Sequence, residues 1–202
     1  HPDYQPTGER RIRDGYQVFH WSHAPVAAGP GRTASDAYVA WQIAKGFRYH
    51  RTPIEGFPHV FAGPDAACHQ TTFCAEKACE FIEQAHQSQR PWLFSVNFFD
   101  PHDPYDPPAD LLQRYLDKLD ELPLPNYRPG EIEEKTVWHS IDTHGAYGGV
   151  SKLAFSKLSD REHRAIRAAY LAMVELIDHQ VGRMIAHLKA LGAYDDTLIL
   201  FT

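Results

Sequence analysis

The residues best suited to chemistry sit where an apolar stretch gives way to a proline-rich loop. Trp92-Leu93-Phe94-Ser95-Val96-Asn97-Phe98-Phe99 runs directly into Asp100-Pro101-His102-Asp103-Pro104-Tyr105-Asp106-Pro107-Pro108. Each proline fixes its own φ and pushes the residue before it toward extended conformations. The loop is therefore stiff, and it presents His102 at a defined place. An imidazole held in this way can donate a hydrogen bond to a developing oxyanion or protonate a leaving group. Asp100 and Tyr105 flank His102 and are placed to orient its ring or to contact a substrate. The same residues also suit a purely structural turn. In that reading His102 caps backbone carbonyls, Asp100 binds strand-end amides and Tyr105 packs. Residue types alone leave both readings open.

Other chemistry-bearing residues are less telling. Thirteen histidines invite a metal hypothesis, but they are scattered and none falls in an HExxH or similar ligand spacing. The site residues therefore include no metal ligand. Asp142-Thr143-His144-Gly145 resembles a metal loop only with an intervening Thr and without a strand before it. His139 and His144 lie among glycines and read as a surface loop. Trp21 and His23 could line a cleft or an ordinary loop. Asp178 and His179 fall on a helix and read as solvated. Cys68, Cys74 and Cys79 form no CxxC pair, and an odd count does not make a disulfide framework.

The elements that must position His102 follow from periodicity. Ser35 before Asp36–Lys45 predicts a short helix with a Ser N-cap and Gly46 as its stop. Residues 47–70 read as irregular. Ala75, Cys79, Ile82 and Ala85 predict a helix over 72–89, ended by Arg90-Pro91. The apolar run Trp92–Phe99 reads as a strand buried in a mostly parallel sheet. A short helix is expected around Leu111–Leu119. Ser159-Asp160-Arg161-Glu162 is a capping box. It opens a long helix whose stripe is Ile166, Tyr170, Met173, Ile177, Val181, Met184, Leu188 and Leu191, with Gly192 as the stop. Thr197–Phe201 repeats the buried-strand signal, and Val18–Trp21 is a candidate short strand. Helix, strand, loop, helix and strand in this order fit an α/β domain with helices packed on a mostly parallel sheet. Ligands in such sheets bind beyond the carboxyl ends of strands, where His102 lies.

The bulk composition narrows the class. With 202 residues, 43% hydrophobic and 23% charged, the chain is globular and holds one sizeable domain. A formal net charge of −6 argues against nucleic acid or an anionic membrane surface as partner. No apolar run approaches the roughly 20 residues that span a bilayer. The chain opens without Met and ends on Phe201-Thr202, where a ligand-side loop should begin. Residues 1–202 are thus expected to be a single incomplete catalytic domain, truncated at both ends.

Three stretches together resemble the sulfatase family of the alkaline-phosphatase-like superfamily. They are Trp92–Pro108 with its PHxPY-type loop, His69-Gln70-Thr71-Thr72 leading into the preceding helix, and Arg164–Gly192 followed by the Asp196–Thr202 strand. The resemblance implies hydrolysis of a small-molecule or carbohydrate sulfate ester. It also implies a formylglycine nucleophile made from a C/S-x-P-x-R motif and a divalent cation, Ca²⁺ or Mg²⁺. His102 matches the family histidine that points at the sulfate. The chain has no C/S-x-P-x-R motif and lacks the family's paired metal-binding aspartates, so nucleophile and metal ligands are expected outside it. A phosphonate monoester or phosphodiester hydrolase of the same superfamily is the close alternative, and a non-catalytic binding relative is the distant one.

Overall fold

The computed structural model describes residues 15–25, 36–126, 128–131, 134–135, 137 and 157–202. Asp142, His139 and His144 lie outside them. Helix α1 (Ala37–Lys45) starts from Asp36, whose side chain accepts from the amides of Tyr38 and Val39. The N-cap is therefore Asp36, one residue later than the expected Ser35, because the Asp carboxylate reaches the free first-turn amides. Gly46 ends the helix at φ 76°, a left-handed conformation that glycine adopts without a Cβ clash.

Residues 47–70, expected to be irregular, contain an antiparallel hairpin of β1 (Thr52–Ile54) and β2 (Phe57–Ala62). Alternation is weak in this stretch and β1 carries Pro53, so the strand signal is faint. Gly56 supplies the positive φ of the turn. This is the only sheet among the described residues. Among the described residues, parallel pairing is limited to isolated bridges from β2 and Gly63 to Tyr105 and Pro108.

Helix α2 (Gln70–Ser88) begins two residues before the predicted start, and α3 (Ala109–Leu116) is followed by a 3-10 turn at Leu119–Glu121. Helix α4 (Asp160–Ala190) carries the expected capping box, with Ser159 and Glu162 each satisfying the other's backbone. Its 31 residues run roughly 46 Å at ~1.5 Å per residue. The face it buries follows the predicted stripe only in part: Met173 and Leu188 are buried as expected, but most of the covered residues are alanines. Ala165, Ala168, Ala169, Ala172, Met173 and Leu176 are covered, while Tyr170 is 45% exposed. Alanines let α4 come close to its neighbours. There Phe57 and Val60 of β2, Leu112 of α3 and Leu119 close one core cluster around Ala165, Ala168 and Ala169.

The two expected buried strands join no sheet among the described residues. Over residues 92–99, Trp92, Phe94, Val96 and Phe98 are half-buried while Leu93, Ser95 and Asn97 are exposed. The half-buried row lies along α2, with Phe94 stacked on Phe81 at 4.7 Å. The other face is open, and Leu93 is 91% exposed. Leu198, Leu200 and Phe201 are likewise exposed. A strand is defined by the ladder it joins, and no described residue supplies one here. Val18–Trp21 also joins no strand.

The alanine face of α4 generates a direct test. Ala169→Leu should overpack the junction with β2 and α3 and destabilise the fold by ~1–3 kcal/mol, read as a lowered midpoint of chemical denaturation. A midpoint unchanged from wild type would mean that α4 does not sit as closely as described.

Candidate active-site loop

The loop 100–108 leaves the extended segment and is tied down at both of its ends. At the first end, Asp100 is 5% exposed, and its carboxylate accepts from the Thr71 hydroxyl. Thr71 lies in the first turn of α2, where His69 serves as N-cap. His69 Nδ1 accepts the Thr71 amide at 3.3 Å, which leaves the imidazole proton on Nε2. Nε2 faces the backbone carbonyl of Asp106 at 3.4 Å. Burial holds this imidazole below the usual histidine range, although the nearby Asp100 carboxylate acts the other way. His69 Nδ1 also lies 3.5 Å from Asp100 Oδ2. With Nδ1 unprotonated, that approach is not an ion pair, and the Thr71 hydroxyl is what satisfies the carboxylate.

At the second end, Asp106 is fully buried. The Tyr49 hydroxyl donates to its Oδ2, while Oδ1 has no partner among the described residues. Burial pushes the Asp106 carboxyl up to about 7, with Asp100 adding to the shift and the Tyr49 hydrogen bond and Arg51 opposing it. Burial and Asp106 raise the Tyr49 phenol, so it stays protonated and donates. Tyr49 is itself held, since its amide donates to the buried Gln42 side chain at 2.7 Å. The loop then runs along β2. Phe61 N donates to Tyr105 O at 2.9 Å, and Gly63 N donates to Pro107 O at 2.8 Å. A Cβ on Gly63 would lie 1.8 Å from the Asp106 carbonyl oxygen, so only glycine permits this approach.

Between these ties His102 stands out, with its side chain 64% exposed. Its ring rests against Phe99 at 4.9 Å between centroids. Nδ1 lies 2.7 Å from the Asp103 carbonyl oxygen and 3.0 Å from Asp103 Oδ1. A carbonyl can only accept, so Nδ1 carries a proton and Nε2 is left for a substrate. Tyr105 is half-buried against the β2–α4 cluster. Of the three residues singled out from sequence, the structure therefore exposes His102, packs Tyr105 and buries Asp100.

Trp21 and His23 lie nearby in the sense of connectivity. Gln70, at the start of α2, donates through Nε2 to Ser22 Oγ and to the His23 carbonyl. Trp21 Nε1 donates to His23 Nε2 at 2.7 Å. Asp178 and His179 are exposed on α4, with His179 3.7 Å from Glu175. Burial raises the thiols of Cys68, Cys74 and Cys79, that of Cys74 to about 12. None is an activated nucleophile. Among the described residues, no group of three or more His, Cys, Asp or Glu side chains could hold a metal ion. The carboxylates of Asp100 and Asp106 are engaged by Thr71 and Tyr49, so this donor set does not fit a divalent cation. No described helix is long and apolar enough to cross a membrane.

A sequence model of the sulfatase family matches residues 15–202. The chain belongs to the sulfatase family. This sulfatase segment is 29% identical over 143 residues to the multifunctional alkaline phosphatase superfamily protein PehA of Trinickia caryophylli, covering 65% of the chain and 26% of that protein. It is 27% identical over 139 residues to an arylsulfatase of Clostridium perfringens, covering 69% of the chain and 27% of the relative. Among solved structures, it superposes on the phosphonate monoester hydrolase of Agrobacterium radiobacter with a TM-score of 0.65 at 25% identity, covering 83% of the chain and 35% of that protein. The sulfatase chain thus spans roughly a quarter to a third of the relatives it matches, and its fold is a partial α/β domain of the alkaline-phosphatase-like kind.

Asp106 gives the site a pH signature. Burial lifts its carboxyl from the ordinary 3.8 to about 7 in the folded protein, so between these values the folded protein binds the extra proton. Stability therefore falls as pH rises through that window. Asp106→Asn removes the titration. Its melting temperature relative to wild type should be higher at pH 8 than at pH 4, and a difference that does not vary with pH would contradict the assignment.

Proposed function

We propose that this segment serves a sulfate-ester hydrolase in which His102 contacts the ester and donates a proton to the leaving alcohol. The observation that carries the reading is an exposed imidazole held on a proline-stiffened loop within a chain of the sulfatase family. Asp103 O holds the Nδ1 proton, so a protonated His102 offers Nε2–H to the bridging oxygen. As the S–O bond breaks, that oxygen takes the proton and His102 returns to the neutral ring with Nδ1–H retained. Asp100, buried beneath the loop, acts here as a positioning residue, although its residue type and place also suggested a substrate contact. Tyr105 lines the carboxyl side of the loop and supplies an apolar edge next to the substrate.

A formylglycine hydrate as nucleophile and Ca²⁺ or Mg²⁺ as charge screen belong to the same proposal, supplied by residues other than those described. The substrate class is a small-molecule or carbohydrate sulfate ester. Phosphonate monoesters are the second reading, favoured by the superposition on a phosphonate monoester hydrolase.

Turnover of p-nitrophenyl sulfate and of a phenylphosphonate monoester by the full-length protein separates the two. Hydrolysis confined to the phosphorus ester sinks the sulfatase reading, and no turnover of either ester favours a non-catalytic relative. On the preferred ester, His102→Ala should lower kcat by roughly 10²–10⁴. An unaltered kcat would remove His102 from the chemistry.

A further inference from the structure

The two ends of the loop are not held alike. Asp100 is fastened by a neighbouring hydroxyl, whereas Asp106 is gripped from three directions. Tyr49, from the segment after α1, donates to its carboxyl. His69, the N-cap of α2, faces its carbonyl through Nε2. Gly63, just after β2, packs its α-carbon against that carbonyl and pairs with the next residue. A carboxyl placed in the interior carries a large desolvation cost unless its surroundings compensate. Here one oxygen has no partner among the described residues. The other oxygen ties the loop to the segment after α1 through the Tyr49 hydroxyl.

What it holds leads back to the imidazole. The orientation of His102 is set by the Asp103 carbonyl, 2.7 Å from Nδ1. Asp103 is followed by Pro104, which removes freedom at φ. Tyr105 is then paired to Phe61 through its carbonyl, and Asp106 is the first residue of the arm whose side chain is locked inside. No described side chain grips the ring of His102 apart from Asp103 and Phe99.

We propose that Asp106 is a positioning residue for His102, the interior anchor through which Tyr49 and His69 fix the Asp103 carbonyl that aims the imidazole. The proposal rests on the reading of His102 as the group that meets the ester. It adds a residue outside the substrate's reach, acting through another. The ionisable groups that face Asp106 are Tyr49 and Tyr38 from the α1 side, Arg51 ahead of β1, His69 from α2 and Asp100 from the loop's own start. The Asp106 carboxyl accepts the Tyr49 hydrogen bond through Oδ2. An Asn in its place can accept the same bond.

The test uses the full-length protein and a double-mutant cycle. Asp106→Ala should lower kcat roughly 10- to 100-fold, the scale of a small misplacement of a reacting group, while KM changes little. Asp106→Asn should recover most of that kcat. In a His102→Ala background, Asp106→Ala should bring no further loss. A loss of the same factor in both backgrounds overturns the proposal, because Asp106 would then act independently of His102. A His102→Ala enzyme as fast as wild type overturns the underlying reading of His102 instead, and the two failures are told apart by that single variant. If Asp106→Ala does not fold, Tyr49→Phe keeps the ring and removes the donor. It should lower kcat several-fold in the wild-type background alone, and an unchanged kcat overturns the proposal.

Discussion

The hydrogen bond from Thr71 to Asp100 ties the loop to a helix end, and the geometry of the site depends on it. The amino terminus of α2 presents unpaired amides and the positive end of the helix dipole, both of which favour a carboxylate. Thr71 offers its hydroxyl to Asp100 and its amide to His69 Nδ1. That second bond decides the tautomer of His69, because a ring nitrogen that accepts cannot also carry the proton. The proton moves to Nε2 and turns toward the carbonyl of Asp106. One helix terminus thus references both ends of a nine-residue loop, and the loop's middle, with His102, is left standing clear.

Around this polar knot the packing is aromatic. Tyr38, Trp41, Tyr49 and Phe73 form one cluster between α1 and α2, and Tyr38 spends its hydroxyl on the Cys68 carbonyl at 2.9 Å. Such surroundings exclude water, which strengthens each hydrogen bond inside them and raises the cost of any charge left unpaired. The same burial explains why the Asp106 carboxyl and the Tyr49 phenol both rise, as each resists ionising next to the other.

Much of the helical framework was legible in the residues. The capping box at Ser159 and the left-handed stop at Gly46 are local chemistry, and they stand where the pattern put them. Family membership was legible in the PHDPY loop and its order among the helices. The hairpin was not, because Pro53 and a bulge between Pro53 and Ile54 blur its alternation. The covered face of α4 was read only in part, for a different reason. Apolar size found Met173 and Leu188 but also pointed to the exposed Tyr170, whereas close helix contact rewards small side chains, and Ala165, Ala168 and Ala169 took the core. Pairing of Trp92–Phe99 depends on neighbours that no local pattern supplies. At the candidate site, the prolines pointed to His102, which the structure leaves exposed. His69, Tyr49, Asp106 and Gly63 were not singled out, since their meaning lies in contacts across 37 and 57 residues of chain. The run of Asp106 before paired prolines was the available hint.

The approach at Gly63 has a mechanical consequence. Because backbone touches backbone there, with no side chain to yield between them, the hairpin and the loop cannot move separately. A shift in β2 is transmitted to the Asp106 carbonyl undamped, as through a rigid linkage rather than a cushion. The β1–β2 hairpin, short and far from any reacting atom in sequence, therefore behaves as a lever on the loop. Its freedom to vary is set less by its own packing at Phe57 and Val60 than by how little travel the loop can tolerate.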